Sequence, residues 1–151
     1  MILCFCDASF DPKSNTAIIA WKIGNNDIQY KIIHDTNNTR AEIIVLLKIL
    51  SKINYNQQHI IYTDCASLLS RINSRDKIIQ SNYKTNSGKD IKNADLYSQI
   101  FNKLQDGIQV KHIEGHLPIR DMNSNNMIFT QVDKLARKKL RQYLSTHYQK
   151  N

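Results

Sequence analysis

Four acidic residues lie where this chain's apolar patterns begin or end: Asp7, Glu42, Asp64 and Asp133. Asp7 closes the apolar run 2–6, with Ser9 two residues on. A carboxylate at the end of a buried strand carries a desolvation cost unless its charge is compensated. A metal ion is one such compensator, so the other acids are candidates to join Asp7 around it. Each also has a local explanation. Glu42 stands three residues after Thr39, which fits a capping box at a helix start. Asp64 follows the short strand pattern 59–62 and could cap a helix over 65–72. Asp133 falls in the first turn of a helix expected over 131–148, where an acid complements the helix dipole.

The elements that must position these acids follow from periodicity. Residues 2–6 read as a buried strand. Pro12 and Asn15 mark a turn over 11–16, and 17–23 reads as a second strand. The turn residues Gly24, Asn25, Asn26 and Asp27 then lead to a third strand over 28–33, closing a hairpin. Ile43, Ile44, Leu46, Leu47 and Leu50 form one stripe of a helix. The strand at 59–62 lies between helices, so it is expected inside the sheet and parallel, with Asp64 at the strand end that lines the ligand crevice of open α/β sheets. Residues 74–93 break the pattern and carry Arg75, Lys77, Lys84, Lys89 and Lys92, with Tyr83 among them. They read as a solvated excursion or as a basic protrusion for phosphates, with Tyr83 available for stacking. A helix over 95–104, a strand over 108–113 and a long polar loop over 114–130, carrying Gly115-His116, precede the last helix. That loop is expected to be mobile.

The 151 residues suit one domain, 1–151, with a protrusion at about 74–93. Hydrophobic content of 41% excludes a disordered tail, and no apolar run of membrane-spanning length exists. No basic leader precedes the first apolar run. Cys4, Cys6 and Cys65 lie within or beside apolar, strand-like runs, which favours reduced thiols over a disulfide framework and an intracellular, cytoplasmic setting. The net charge of +8 points to a polyanionic partner, nucleic acid first. The charge clusters at 77–92 and again at 134–141.

Taken together, the motifs resemble type 1 ribonuclease H. The resemblance rests on Asp7-Ala-Ser9, Arg40-Ala-Glu42, Thr63-Asp64, Gly115-His116 and Val132-Asp133-Lys-Leu-Ala-Arg137 in that order. Tyr83-Lys-Thr85 followed by Lys92-Asn-Ala-Asp-Leu96 looks like the family's basic handle and the helix after it. The resemblance implies an α/β, ribonuclease H-like fold: a mixed five-stranded sheet, three antiparallel strands then two parallel, flanked by helices. It implies an endoribonuclease that cleaves the RNA strand of RNA/DNA hybrids with two Mg²⁺ ions, Mn²⁺ being an alternative, held by Asp7, Glu42, Asp64 and Asp133. Two such ions about 3.5–4 Å apart activate water and neutralise charge on the reacting oxygens. His116 would assist proton transfer or product release. Ser9, Asn37, Asn38, Thr39, Arg40, Tyr83, Lys84, Lys89 and Lys92 would contact nucleic acid, the asparagines reading 2′-hydroxyls in the shallow groove. A monomer with no membrane contact is expected. A resolvase- or transposase-like DNA nuclease on the same fold, and a non-catalytic nucleic-acid-binding module, are the competing readings. Cys65 replaces a serine usual in the family.

Overall fold

The computed structural model describes residues 1–147. Its centre is a five-stranded mixed sheet in the order β3-β2-β1-β4-β5. Strand β1 spans Ile2–Asp11, β2 Thr16–Ile23 and β3 Gln29–Ile33, and these three are antiparallel. Strands β4 (His59–Thr63) and β5 (Ile108–His112) add in parallel on the other side of β1. The expected sheet is therefore the observed one, with 59–62 in its interior.

Side-chain alternation along β1 builds two cores. Cys4 and Cys6 point to one face, where helix α1 (Asn38–Lys52) and helix α4 (Ala94–Lys103) cover the sheet with Ile43, Leu46, Ile49, Leu50, Ile100 and Phe101. Phe5 points to the other face and meets Phe129, Val132, Ala136 and Leu140 of helix α5 (Ser124–His147). Helices α2 (Ala66–Asn73) and α3 (Arg75–Gln80) follow β4. Among the described residues, no helix is long and apolar enough to cross a membrane.

Several expectations are corrected. Asp7 is not at a strand end: β1 continues to Asp11 because residues 8–11 pair with 16–19 of β2, so Asp7 lies mid-strand. Helix α1 is capped by Asn37, whose side chain accepts the Arg40 backbone N–H at 2.9 Å, and not by Thr39. Such a cap stabilises a helix start by about 1 kcal/mol. Helix α2 starts at Ala66 with Cys65 as its cap residue and no side-chain cap bond, so Asp64 does not cap it.

The largest correction concerns the expected loop over 114–130. Its last seven residues, 124–130, are helix. Asn123 and Asn126 cap the start of α5 reciprocally: the Asn126 N–H donates to Asn123 Oδ1 (2.9 Å) and the Asn123 N–H to Asn126 Oδ1 (3.0 Å). The remaining connection also contains a 3-10 turn, Ile119–Asp121. Asp133 thus sits in the third turn of α5 rather than the first, too far in for dipole complementarity. Tyr148, which closed the expected helix, lies outside the described residues.

Candidate active site

The site opens where β1 and β4 part. Their parallel pairing ends at Phe5–Tyr62, so the β4-facing edge of β1 beyond that point has no strand partner. Two groups fill the gap. The Cys6 thiol donates to the Tyr62 carbonyl at 3.6 Å, and the Ala8 N–H donates to Glu42 Oε1 at 3.3 Å. Glu42 is therefore drawn from α1 to the unpaired backbone of β1, next to Asp7. Asp64 follows directly after β4 and reaches the same point. Oxygens of Asp7, Glu42 and Asp64 lie within 4.8 Å of one another.

Asp133 comes from α5, on the sheet face opposite α1. Its charge is felt by both Asp7 and Asp64 and helps to raise both carboxyls. Its outer oxygen accepts Arg137 Nη2 at 2.7 Å, one helical turn on. Three of the four sequence candidates therefore meet at one point, and the fourth, Asp133, stands beside them with an arginine attached that stands out in the sequence only as part of a motif. The i,i+4 spacing is its visible signal.

The chain after β5 closes the site from above. A Cβ on Gly115 would come within 2.9 Å of Asp64 Oδ2, so any side chain there would force that carboxylate to shift. His116 follows with φ of 60°, in the left-handed region that costs a non-glycine residue of order 1 kcal/mol. Its imidazole is exposed and near enough to Asp64 to counter the rise in that carboxyl's pKa.

The electrostatics are severe. Asp7 is 4% exposed and Glu42 5%. Burial, then the Glu42 and Asp64 charges, push the Asp7 carboxyl up to about 10. Burial, then Asp64, hold Glu42 well above the usual carboxylate range. Burial, then Asp133, raise Asp64. No arginine or lysine side chain pairs with Asp7, Glu42 or Asp64 among the described residues. Glu42 Oε2 is buried with no hydrogen-bond partner. Orphaned buried oxygens beside other carboxylates fit a hard divalent cation, which takes oxygen ligands and removes the repulsion. Protons are the only other compensator.

The residues expected to hold nucleic acid divide. Asn37, Asn38 and Thr39 are exposed at the start of α1, and Asn37, Thr39 and Lys92 line one cavity of about 480 Å³. Ser9 is half-buried, on the same face of β1 as Asp7. Arg40 is held in a fork on Asp95 (3.1 and 2.7 Å) and Asn93 (3.1 Å), a tie to partners more than fifty residues away that local pattern does not reveal. Tyr83 is half-buried and stacks on Phe101, with ring centroids 6.2 Å apart, so it braces the handle and is not a free stacking platform. Lys84 is ion-paired with Asp90, whereas Lys89 and Lys92 are exposed.

The model of the RNase H family matches residues 1–141. The chain belongs to the RNase H family. As a ribonuclease H it is a phosphodiester hydrolase, and the reaction is cleavage of the RNA strand of an RNA/DNA hybrid. Among solved structures it is similar to the foamy viral protease-reverse transcriptase in complex with dsDNA. That likeness has a TM-score of 0.72 at 16% identity, over 91% of this chain and 90% of that chain, and speaks for the fold. No curated protein matches the chain.

Proposed function

We propose that Asp7, Glu42, Asp64 and Asp133 form the centre of this ribonuclease H and that their carboxylates hold Mg²⁺, two ions in the working enzyme, with Mn²⁺ able to substitute. The observation that carries this reading is the unpartnered, buried Glu42 Oε2 within a cluster of three carboxylates. When bound, divalent metal supplies an activated water and neutralises charge on the phosphoryl oxygens.

The chain's own residues do the rest. Asp7, fixed mid-strand, and Glu42, tied to the Ala8 N–H, form the rigid inner wall. Asp64 and Asp133 form the outer wall, where water and the scissile phosphate arrive. His116, exposed beside Asp64, carries protons between the site and solvent. Asn37, Asn38 and Thr39 meet the minor groove and recognise 2′-hydroxyls, and Lys89 and Lys92 meet the DNA strand's phosphates. Ser9 lines the approach beside Asp7. Arg40 positions the start of α1 through Asp95 and Asn93. The enzyme works as a monomer, and its three free cysteines suit a reducing, cytoplasmic compartment.

Labelled RNA/DNA hybrid, duplex DNA and duplex RNA, each incubated with enzyme and Mg²⁺, test this reading. Cleavage of the RNA strand of the hybrid alone is expected. Cleavage of duplex DNA in preference would overturn it, and so would metal-independent cleavage.

A further inference from the structure

Apart from Arg137, which sits on Asp133, the second basic cluster in the sequence, 134–141, has no part in the chemistry above, and the structure shows where it goes. Helix α5 carries five bases, Lys134, Arg137, Lys138, Lys139 and Arg141, against a single acid, Asp133. Lys139 lies over the Tyr30 ring, at 5.0 Å from its centroid. The other four are exposed and stand at positions i, i+3, i+4 and i+7, one stripe opposite the buried Val132, Ala136 and Leu140. Lys134, Lys138 and Arg141 form no ion pair among the described residues. The handle is poorer than its sequence suggests. Arg75 is spent on the Leu104 and Phe101 carbonyls at the end of α4, and Lys84 on Asp90.

The stripe is also connected to the site. A groove of about 590 Å³ runs from Asp133, between Leu117, Ile119 and Met122 on the loop side and Met127, Lys134 and Arg137 on the helix side. From Asp133 to Arg141 the helix rises about 12 Å. That equals roughly three to four base steps measured along a duplex axis, at about 3.4 Å each.

We infer that the outer stripe of α5, with Lys134, Lys138 and Arg141 as its unpaired cations, is a second nucleic-acid contact, which holds the phosphate backbone of the substrate where it runs on past the scissile phosphate. This rests on the ribonuclease H reading for the identity of the substrate. Charge complementarity and continuity with the groove at Asp133 carry the rest. The contact is to phosphates, so it adds reach and affinity without sequence preference.

The test uses the double variant Lys138→Ala/Arg141→Ala, whose side chains are exposed and remote from the acids. The substrate carries a short ribonucleotide segment at a fixed place in one strand of a duplex, flanked on each side in turn by two or twelve base pairs. KM for the long-flank substrate should rise about five- to tenfold on one side, with kcat unchanged. The short-flank substrate should not discriminate between variant and wild type. The slope of log KM against log salt should flatten by roughly two, about 0.9 for each phosphate no longer neutralised. A control, Lys31→Ala/Lys52→Ala, removes the same charge from exposed sites elsewhere and should change little. Lys138→Arg/Arg141→Lys should restore the wild-type KM. An equal effect of the control, or an effect independent of flank length, would overturn the stripe. If wild-type enzyme ignores the ribonucleotide segment, the ribonuclease H reading fails instead. The stripe is then judged by the salt dependence of binding to plain duplex, where a flatter slope in the variant supports it and an unchanged slope refutes it.

Discussion

The inner and outer halves of the acid cluster are built differently. Asp7 and Glu42 are buried on the central strand and on α1, with no cation from the protein and one oxygen left unpartnered. Asp64 and Asp133 are partly exposed, and Asp133 has Arg137 at 2.7 Å. The outer half thus has one carboxylate, Asp133, held by a protein cation and a second, Asp64, that is open to solvent with no such pair among the described residues. The inner half is a charge deficit that only protons or an external cation can fill. Burial and mutual repulsion, with few internal bonds, are what make a site demand metal.

Breaking the inner half should have the largest effect. Asp7→Asn is expected to lower cleavage by at least about 10³-fold, the upper scale for loss of one preorganised charge-stabilising group. The fold should survive, and the metal-free melting temperature should hold or rise because repulsion is removed. Turnover and thermal melts on the same preparation check both. Near-wild-type turnover would remove Asp7 from the site.

The close approach over Asp64 comes next. Gly115→Ala places a methyl 2.9 Å from Asp64 Oδ2, so the carboxylate must move. A 1 Å misplacement costs about 10²-fold in rate, so kcat should fall by that order, with the melting temperature changed little. An unchanged kcat would show that the outer half tolerates displacement.

His116 and Asp133 sharpen the contrast within the outer half. His116→Ala should slow turnover by roughly 10²-fold at most, the scale of lost proton-transfer assistance. Its Mg²⁺ midpoint should not move, since Mg²⁺ selects oxygen. Asp133→Asn should be the more severe loss and should shift that midpoint. Measuring kcat and the Mg²⁺ titration for both decides it, and a midpoint shift in His116→Ala would place the imidazole on the metal.

The smallest effect belongs to the handle. Lys89→Ala/Lys92→Ala should raise KM and flatten the salt dependence of binding, with kcat unchanged. A collapse of kcat at saturating substrate would contradict it.

Much of the fold and the site is legible in the sequence because local pattern and tertiary structure agree. The strands follow from the turn residues that bound 17–23 and 28–33 and from the helix-flanked run 59–62, and the four acids are visible as polar residues at pattern edges. The misses have two causes, partners distant in sequence and polar residues acting structurally. Residues 8–11 lie outside any clear strand pattern until β2 pairs with them. Asn123 and Asn126 look like loop residues until they cap α5. Tyr83 and Arg75 look free for nucleic acid until Phe101 and the end of α4 pack against them. The unpaired edge of β1 that captures Glu42 leaves no mark in the sequence, since it depends on where β4 stops.

Thermal unfolding across pH, with and without Mg²⁺, tests the charge deficit of the inner half most directly. The Asp7 carboxyl is raised from an ordinary value of 3.8 to about 10 in the folded protein. Between those values the folded state binds the proton that the unfolded state has released. Metal-free stability should therefore be fullest below about pH 4 and fall as pH rises towards 10. Mg²⁺ competes with those protons, so it should raise the melting temperature more at pH 8 than at pH 5. Asp7→Asn should flatten both the pH dependence and the Mg²⁺ shift. A metal-free melting temperature that does not fall between pH 5 and 8, with no greater Mg²⁺ effect at the higher pH, would contradict the account.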